Sequence, residues 1–271
     1  MSARFHNLTA AALAVLEMPD PARKADLTRA VAGAWRDGRL TEIGDRASPA
    51  RPARLPRPVL VPPRAVPRRR IGPSPAGRIA LLHALAHIEL NAIDLTWDLI
   101  ARFAAEAPAR EFCDDWITVA VEEAAHFGLL SDRLASLGAA YGDLPAHGGL
   151  WDAADHTRDD LLARLAVVPL VLEARGLDVT PGMIARLETA GDRASATVLE
   201  TIYGDEIGHV AIGKGWFDTV CAARGLPPVE TWRMLVRRHF KGTLKPPFNE
   251  AARARAGLSP ALYAGLERTI C

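Results

Sequence analysis

Residues 116–130 read WITVAVEEAAHFGLL, and two patterns coincide in them. Apolar side chains recur every three or four residues from Trp116 to Leu130, which predicts a helix with one face in a core. Glu123 and His126 fall on that same face, one turn apart. A buried carboxylate is costly unless it is paired or bound to a metal. The stretch therefore predicts a core helix with a Glu-x-x-His metal motif.

The helix before this stretch is predicted to begin at Ser74-Pro75, because a serine cap followed by proline is a common helix start. Its apolar stripe contains a carboxylate, Glu89, which precedes Glu123 by 34 residues. The two helices should form a hairpin with these polar side chains on its inner face.

Two further helices are predicted later in the chain. The first spans about residues 156–175, where Pro169 should kink the helix or open a bulge, and Gly176 should close it. The second is expected to start at Thr180-Pro181, again a cap followed by a proline. Gly176 and Pro181 follow Glu173 closely in the chain. This hairpin would therefore be lopsided about the level of its ligands, unless a break or turn near Gly191 compensated.

The second hairpin repeats the ligand pattern of the first. Glu173 lies on the stripe of its first helix, and Glu206 follows 33 residues later and begins a second Glu-x-x-His step that ends at His209. One such step is a weak signal. Two copies, each preceded by a glutamate at nearly the same distance, are a specific signal for a metal site.

Together the two hairpins supply four carboxylates and two imidazoles at one level of a four-helix bundle, which is the ligand set of di-iron and di-manganese carboxylate proteins. Oxygen-rich ligands with imidazole suit Fe or Mn better than thiolate-loving metals. Four negative charges would also neutralise two divalent ions. The predicted metal ligands are Glu89, Glu123, His126, Glu173, Glu206 and His209.

Three segments carry a resemblance to a known family: residues 81–95 (LLHALAHIELNAIDL), 205–210 (DEIGHV) and 240–249 (FKGTLKPPFN). They resemble the ferritin-like superfamily and, more narrowly, the bacterial family called domain of unknown function 455, over roughly residues 20–265. The resemblance implies a ferritin-like four-helix bundle with a dinuclear non-haem iron site. The chain is also similar to the tRNA-hydroxylase branch and other di-iron oxygenases of that superfamily.

The predicted fold is all-α with three zones. Residues 1–75 hold N-terminal helices and an arm rich in proline and arginine, residues 76–225 hold the ferritin-like four-helix bundle, and residues 226–271 form a C-terminal helical extension. The arm, residues 49–75, holds nine prolines, seven arginines and no acid, so an extended conformation is expected. Two interpretations stay open: a strap across the bundle, or a basic contact for RNA or an anionic ligand centred on Arg68, Arg69 and Arg70.

Several polar residues near the motifs are candidates for supporting the ligands. Glu122 neighbours Glu123 and is more often a surface or supporting group than a ligand, and His87 is more often a core or supporting histidine than a ligand. Tyr203 is either a core tyrosine or a phenol close to the metals, and Asp205 is one of the acids that could orient a ligand imidazole.

The composition restricts the classes of partner that the chain is expected to bind. Lys+Arg number 33 and Asp+Glu 32, so the net charge of +1 supports neither an RNA nor a membrane partner, and no apolar run is long enough to span a bilayer. Three scattered cysteines build neither a disulfide framework nor a four-cysteine iron site. We therefore expect a cytoplasmic protein that receives electrons from a separate reductase.

The expected function is that of an O₂-activating oxidoreductase of the hydroxylase or monooxygenase type, with two iron ions or a Mn/Fe pair. Its substrate would be an unknown small organic molecule or a tRNA-linked group, and a homodimer is compatible with this expectation. The alternatives are a ferroxidase or iron-handling protein, a peroxide-reducing protein, and a helical adaptor with no activity.

Overall fold

The computed structural model describes residues 5–67, 69, 71–72, 74–107 and 110–266. The chain divides into two compact units, Met1–Trp151 and Asp152–Cys271. Within the described residues the regular secondary structure is helical, apart from an isolated parallel bridge between Leu60 and Ala146. The predicted all-α fold is confirmed, whereas the predicted zone boundaries at residues 75 and 225 stay a prediction.

The first unit is built on a long helical hairpin. Its helices are α1 (Leu8–Leu16), α2 (Pro21–Arg36), α3 (Pro75–Phe103) and α4 (Glu111–Ser136), and the first residues of the short α5 (Gly149–Asp155) close the unit. Helices α3 and α4 pack along each other, while α1 covers α3 and α2 covers α4. Ser74 caps α3 as predicted, because its hydroxyl accepts the N–H of Ala76 at 3.4 Å.

Helix α3 is long and apolar enough by composition to cross a membrane. However, 83% of its most apolar window is buried inside the protein, as in the core helix of a soluble protein. The compartment predicted from the cysteines stays a prediction.

The part of the arm before its short 3₁₀ turn (Pro63–Ala65) is held at both ends by backbone hydrogen bonds. The N–H of Ala53 donates to the carbonyl of Leu16 at 2.8 Å, and the N–H of Val61 donates to the carbonyl of Ala146 at 2.8 Å. Residues 53–61 therefore follow a fixed path within the first unit, which favours the strap interpretation for this part of the arm.

The second unit contains a second hairpin and a helical tail. Its elements are α6 (Leu161–Val167), a π segment (Val168–Glu173), α7 (Ala174–Thr189), α8 (Arg193–Ala223), α9 (Pro228–His239), α10 (Glu250–Arg255) and α11 (Pro260–Tyr263). Helix α8 packs along α7 and against the π segment, α9 packs on α6 and α8, and α10 packs on α7 and α8.

The bulge predicted at Pro169 is confirmed, because this proline lies in the π segment that joins α6 to α7. Helix α8 approaches it so closely that a Cβ atom at Gly213 would lie 2.6 Å from Cγ of Pro169. Only glycine fits at this contact without a shift of the two elements.

The predicted end at Gly176 and the predicted start at Thr180-Pro181 are wrong, because α7 runs through all three residues. The predicted start near residue 156 is also early, since α6 begins at Leu161. The break comes instead at Gly191, whose φ of 75° is in the left-handed region that glycine adopts readily. The turn that was expected near Gly191 is therefore present, and it separates α7 from α8.

The contacts of the C-terminal tail explain why Pro181 is tolerated inside α7. Proline has no N–H, so the carbonyl of Leu177, one turn earlier, loses its usual helical donor. The side-chain amide of Asn249 donates to that carbonyl at 3.1 Å. A side chain from outside the helix thus replaces the missing hydrogen bond.

Candidate metal centre

Three of the predicted ligands meet between α3 and α4. Glu89, Glu123 and His126 are all at most 3% exposed. Nδ1 of His126 lies 3.4 Å from Oε2 of Glu89 and 3.7 Å from Oε2 of Glu123. Each side chain offers one ligand atom, and these atoms lie within 4.8 Å of one another. This Glu/His cluster could hold a metal ion.

The electrostatics of the cluster favour a bound cation. Burial raises the pKa of Glu89, and the neighbouring charge of Glu123 raises it further. Burial by itself lowers the pKa of His126, but its contacts with Glu123 and Glu89 outweigh burial and raise it. Two carboxylates buried this close repel each other unless a positive charge lies between them. A divalent ion supplies that charge with the imidazole neutral, so the donor set fits a metal.

The second unit carries the other three predicted ligands on its own hairpin. Glu173 is the last residue of the π segment and is half-buried. Glu206 is half-buried and His209 fully buried, one turn apart on α8. A π segment adds a residue to the turn, so the bulge at Pro169 sets the direction in which Glu173 leaves the helix.

The repeat between the hairpins extends further than the sequence reasoning recognised. Asp94 follows Glu89 by five residues, and Asp178 follows Glu173 by five. Both aspartates have fully buried side chains, and each pairs with a cation from a segment outside its hairpin. The signal was present in the sequence as a repeated Glu-x4-Asp spacing.

In the first unit, Asp94 is shared by two cations. Lys24 of α2 and Arg54 of the arm both form ion pairs with its carboxylate. Lys24 is fully buried and also donates to the carbonyl of Leu16 at 3.3 Å. Burial lowers the pKa of this lysine, while Asp94 opposes that shift. Asp94 therefore anchors α2 and the arm to α3.

In the second unit, Asp178 accepts two hydrogen bonds from Arg253, each of 2.8 Å, in a bidentate pair. The guanidinium of Arg253 also lies 4.7 Å from the ring centroids of Phe248 and Tyr263. The backbone N–H of Asn249 donates to Asp178 at 3.0 Å. This aspartate therefore anchors the C-terminal tail to α7.

Two of the supporting candidates are engaged elsewhere in their units. Nε2 of His87 lies 3.2 Å from the carbonyl of His147, and Nδ1 lies 2.8 Å from the hydroxyl of Tyr141. His87 thus contacts the loop after α4. The hydroxyl of Tyr203 accepts from the amide of Asn249 at 3.0 Å, which ties α8 to the tail.

Three more of the candidate residues lie in the described part of the chain. Glu122 is half-buried beside Glu123 on α4, and Asp205 is half-buried on α8. In the basic stretch of the arm, Arg69 is exposed, whereas Arg68 and Arg70 lie outside the described residues.

Comparison with known proteins gives a family and a relative. The family described as "Protein of unknown function (DUF455)" matches residues 17–264. An "Uncharacterized protein" of Haemophilus influenzae (strain ATCC 51907 / DSM 11121 / KW20 / Rd) is 41% identical over 212 residues, which is 75% of this chain and 72% of that relative. No solved structure matches. Because the match spans most of the sequence, the chain belongs to the DUF455 family.

Proposed function

We propose that the chain holds two metal ions, Fe₂ or Mn/Fe, and that two equivalent halves of the chain supply their ligands. The first half is the α3–α4 hairpin with Glu89, Glu123 and His126, and the second half is the π segment with α7 and α8, which carries the other three predicted ligands. The observation that carries the proposal is the burial of two carboxylates and an imidazole within ligand distance of one another.

The repeated Glu-x4-Asp spacing supports the equivalence of the halves. Each half presents a glutamate, an anchored aspartate five residues later, and a Glu-x-x-His step on the next long helix. Ferritin-like di-iron proteins draw their ligands from two such helix pairs. On this proposal Glu173, Glu206 and His209 are the metal ligands that the second half supplies.

The proposed activity is oxidation of an organic or tRNA-linked substrate with O₂, with electrons from a separate reductase. Bound reduced metal supplies the electrons that activate O₂. The protein's own residues hold the ligands in place, and the near-complete burial of the α3–α4 cluster excludes bulk water from it. Ferroxidase and peroxide-reducing activities are the alternatives. The covering of α3 and α4 by α1 and α2 favours an enzyme over a cage subunit, because those outer faces are already occupied.

Metal content in matched variants tests the centre. The purified protein should contain about two iron or manganese ions per chain, as the ligand count implies. Glu123→Gln and Glu206→Gln should each lose most of that metal. Glu111→Gln and Glu200→Gln change the same residue type on the same two helices, away from the predicted ligands, and should keep it. Equal metal content in all four variants would contradict the proposed ligands.

The reaction with O₂ separates the activities. Protein loaded anaerobically with ferrous iron and mixed with O₂ should give a fast absorbance change that saturates at about two irons per chain. Continued oxidation of many irons per chain, together with a large hollow assembly in light scattering, would show an iron-storage protein instead. A loaded protein that does not react with O₂ would overturn the oxidase proposal.

A further inference from the structure

A cavity of about 370 Å³ lies in the first unit between the arm and α3. This volume falls in the range of sites for small organic molecules. Most of its lining comes from the arm, and the rest comes from α3, α5 and the residue before α5. The arm contributes Arg51, Pro52, Arg54, Leu55, Pro56, Pro58, Val59 and Leu60, and the remaining lining residues are His87, Asn91, Gly148 and Trp151.

The lining combines apolar surface with positive charge. Leu55, Val59 and Leu60 are between 43 and 59% exposed, so the cavity opens to solvent beside an apolar rim. Two arginines contribute charge, and no lining residue in the described part of the chain is acidic. This lining suits a ligand that has an apolar chain or ring, its body, and a negatively charged group, its head.

The ion pairs in the wall behind the cavity also favour a negatively charged ligand. Arg54 forms an ion pair with Asp94, but that carboxylate also pairs with the buried Lys24. One negative charge therefore faces two cations. An anion in the cavity would lie against an excess of positive charge, in a partly buried setting where screening by salt is weak.

The cavity and the metal cluster lie on different faces of α3. His87 and Asn91 are one turn apart and both line the cavity. Glu89 lies two residues from each, which places it about 200° around the helix from His87. The cavity is thus a separate site and not an opening to the Glu/His cluster.

Contacts around the cavity fix its walls before any ligand binds. The indole N–H of Trp151 donates to the carbonyl of Ala50 at 3.1 Å, just before the arm enters the lining. The N–H of Ala146 donates to the carbonyl of Val59 at 3.0 Å on the other side. A preformed pocket loses little conformational entropy on binding.

We propose that this cavity binds a small amphipathic organic anion, a carboxylate or a phosphate monoester with an apolar chain or ring. The anionic head contacts Arg51 and Arg54, and the apolar body packs against Leu60 and Trp151. The site is independent of the proposed metal centre, so either proposal can fail without the other.

Calorimetric titration of the purified protein, as isolated, with a matched series of probes tests the site. Octanoate and octyl phosphate should each bind with a stoichiometry of one, and comparing the two identifies the preferred head. Octanol and acetate, which each lack one of the two features, should bind at least about tenfold more weakly. Octylammonium should not bind detectably.

Variants at exposed positions assign the site to the arm. Arg51→Gln and Leu60→Asp should each weaken octanoate binding about tenfold or more, without changing the metal content. Arg64→Gln is the matched control, since Arg64 is exposed on the same arm and does not line the cavity. The proposal would be overturned if neither octanoate nor octyl phosphate bound, or if octanol bound as tightly as octanoate. It would also be overturned if all three variants bound octanoate with the same affinity.

Discussion

The first and second halves have the same spacing of candidate ligands on different backbones. In the first half, α3 and α4 run without interruption past Glu89, Glu123 and His126. In the second half, Glu173 ends a π segment, and a proline lies inside the helix that follows. Equal spacing in sequence therefore does not require equal local structure. The irregular half depends on contacts from elsewhere in its unit to hold its distorted helix.

The anchors of the two halves differ in the same way. Asp94 is held by two cations, one of them a fully buried lysine. Asp178 is held mainly by Arg253, which also stacks on two aromatic rings of the tail, and at a longer distance of 3.5 Å by Arg175 of its own helix. The first anchor is a network of charges, whereas the second combines charge with packing. The loss of each carboxylate should therefore lower the free energy of unfolding by a different amount.

Replacing the two aspartates tests this difference and should give the largest effects. Asp94→Asn should lower the free energy of unfolding by about 3–5 kcal/mol, because Lys24 stays buried without a full counter-charge. Asp178→Asn should cost about 1.5–3 kcal/mol, since Arg253 keeps its ring contacts. Urea titration followed by circular dichroism measures both values.

The exposed pair formed by Asp26 and Arg29 provides the control. Asp26→Asn should leave the urea midpoint almost unchanged, because exposed ion pairs contribute little. A larger loss for Asp178→Asn than for Asp94→Asn would show that the charge network is not the stronger anchor.

A double-mutant cycle tests the support of the irregular helix and should give an intermediate effect. Asn249→Ala should cost about 1–3 kcal/mol, because the Leu177 carbonyl loses its donor. Pro181→Ala restores an N–H that can reach that carbonyl within the helix. In the Pro181→Ala background, Asn249→Ala should therefore cost at least about 0.5 kcal/mol less. Additive costs would mean that Asn249 does not compensate for the proline.

A pH series probes the first half and should give the smallest effect. Nε2 of His83 accepts the N–H of Gly142 at 2.9 Å, which requires a neutral ring. Burial lowers the pKa of His83 below its ordinary value of 6.5. The unfolded chain then binds the proton more readily, so the stability from this contact is complete above pH 6.5 and declines as the pH falls below it.

The matched measurement compares the wild type with His83→Asn between pH 8 and pH 5. The variant should lose less stability over that interval than the wild type, because it has no proton to take up at this position. Parallel curves would show that the histidine does not contribute to the pH dependence.

Periodicity and spacing predicted the all-α fold, the first hairpin and the meeting of Glu89, Glu123 and His126. Those features depend on local helical geometry, which a single sequence displays. The course of α7 through Pro181 was not predictable, because it depends on Asn249, which lies 68 residues later in the chain. The burial of Lys24 was likewise hidden, since lysine is normally exposed and its partner lies on another helix.

The close contact between Pro169 and Gly213 has a consequence for the sequences of relatives. A side chain at position 213 has no room while a proline ring occupies position 169. The two positions should therefore covary: relatives with proline at the first should keep glycine at the second, and relatives without the proline can accept alanine. Such a pair would mark, from sequence alone, which members of the family retain the bulge that orients Glu173.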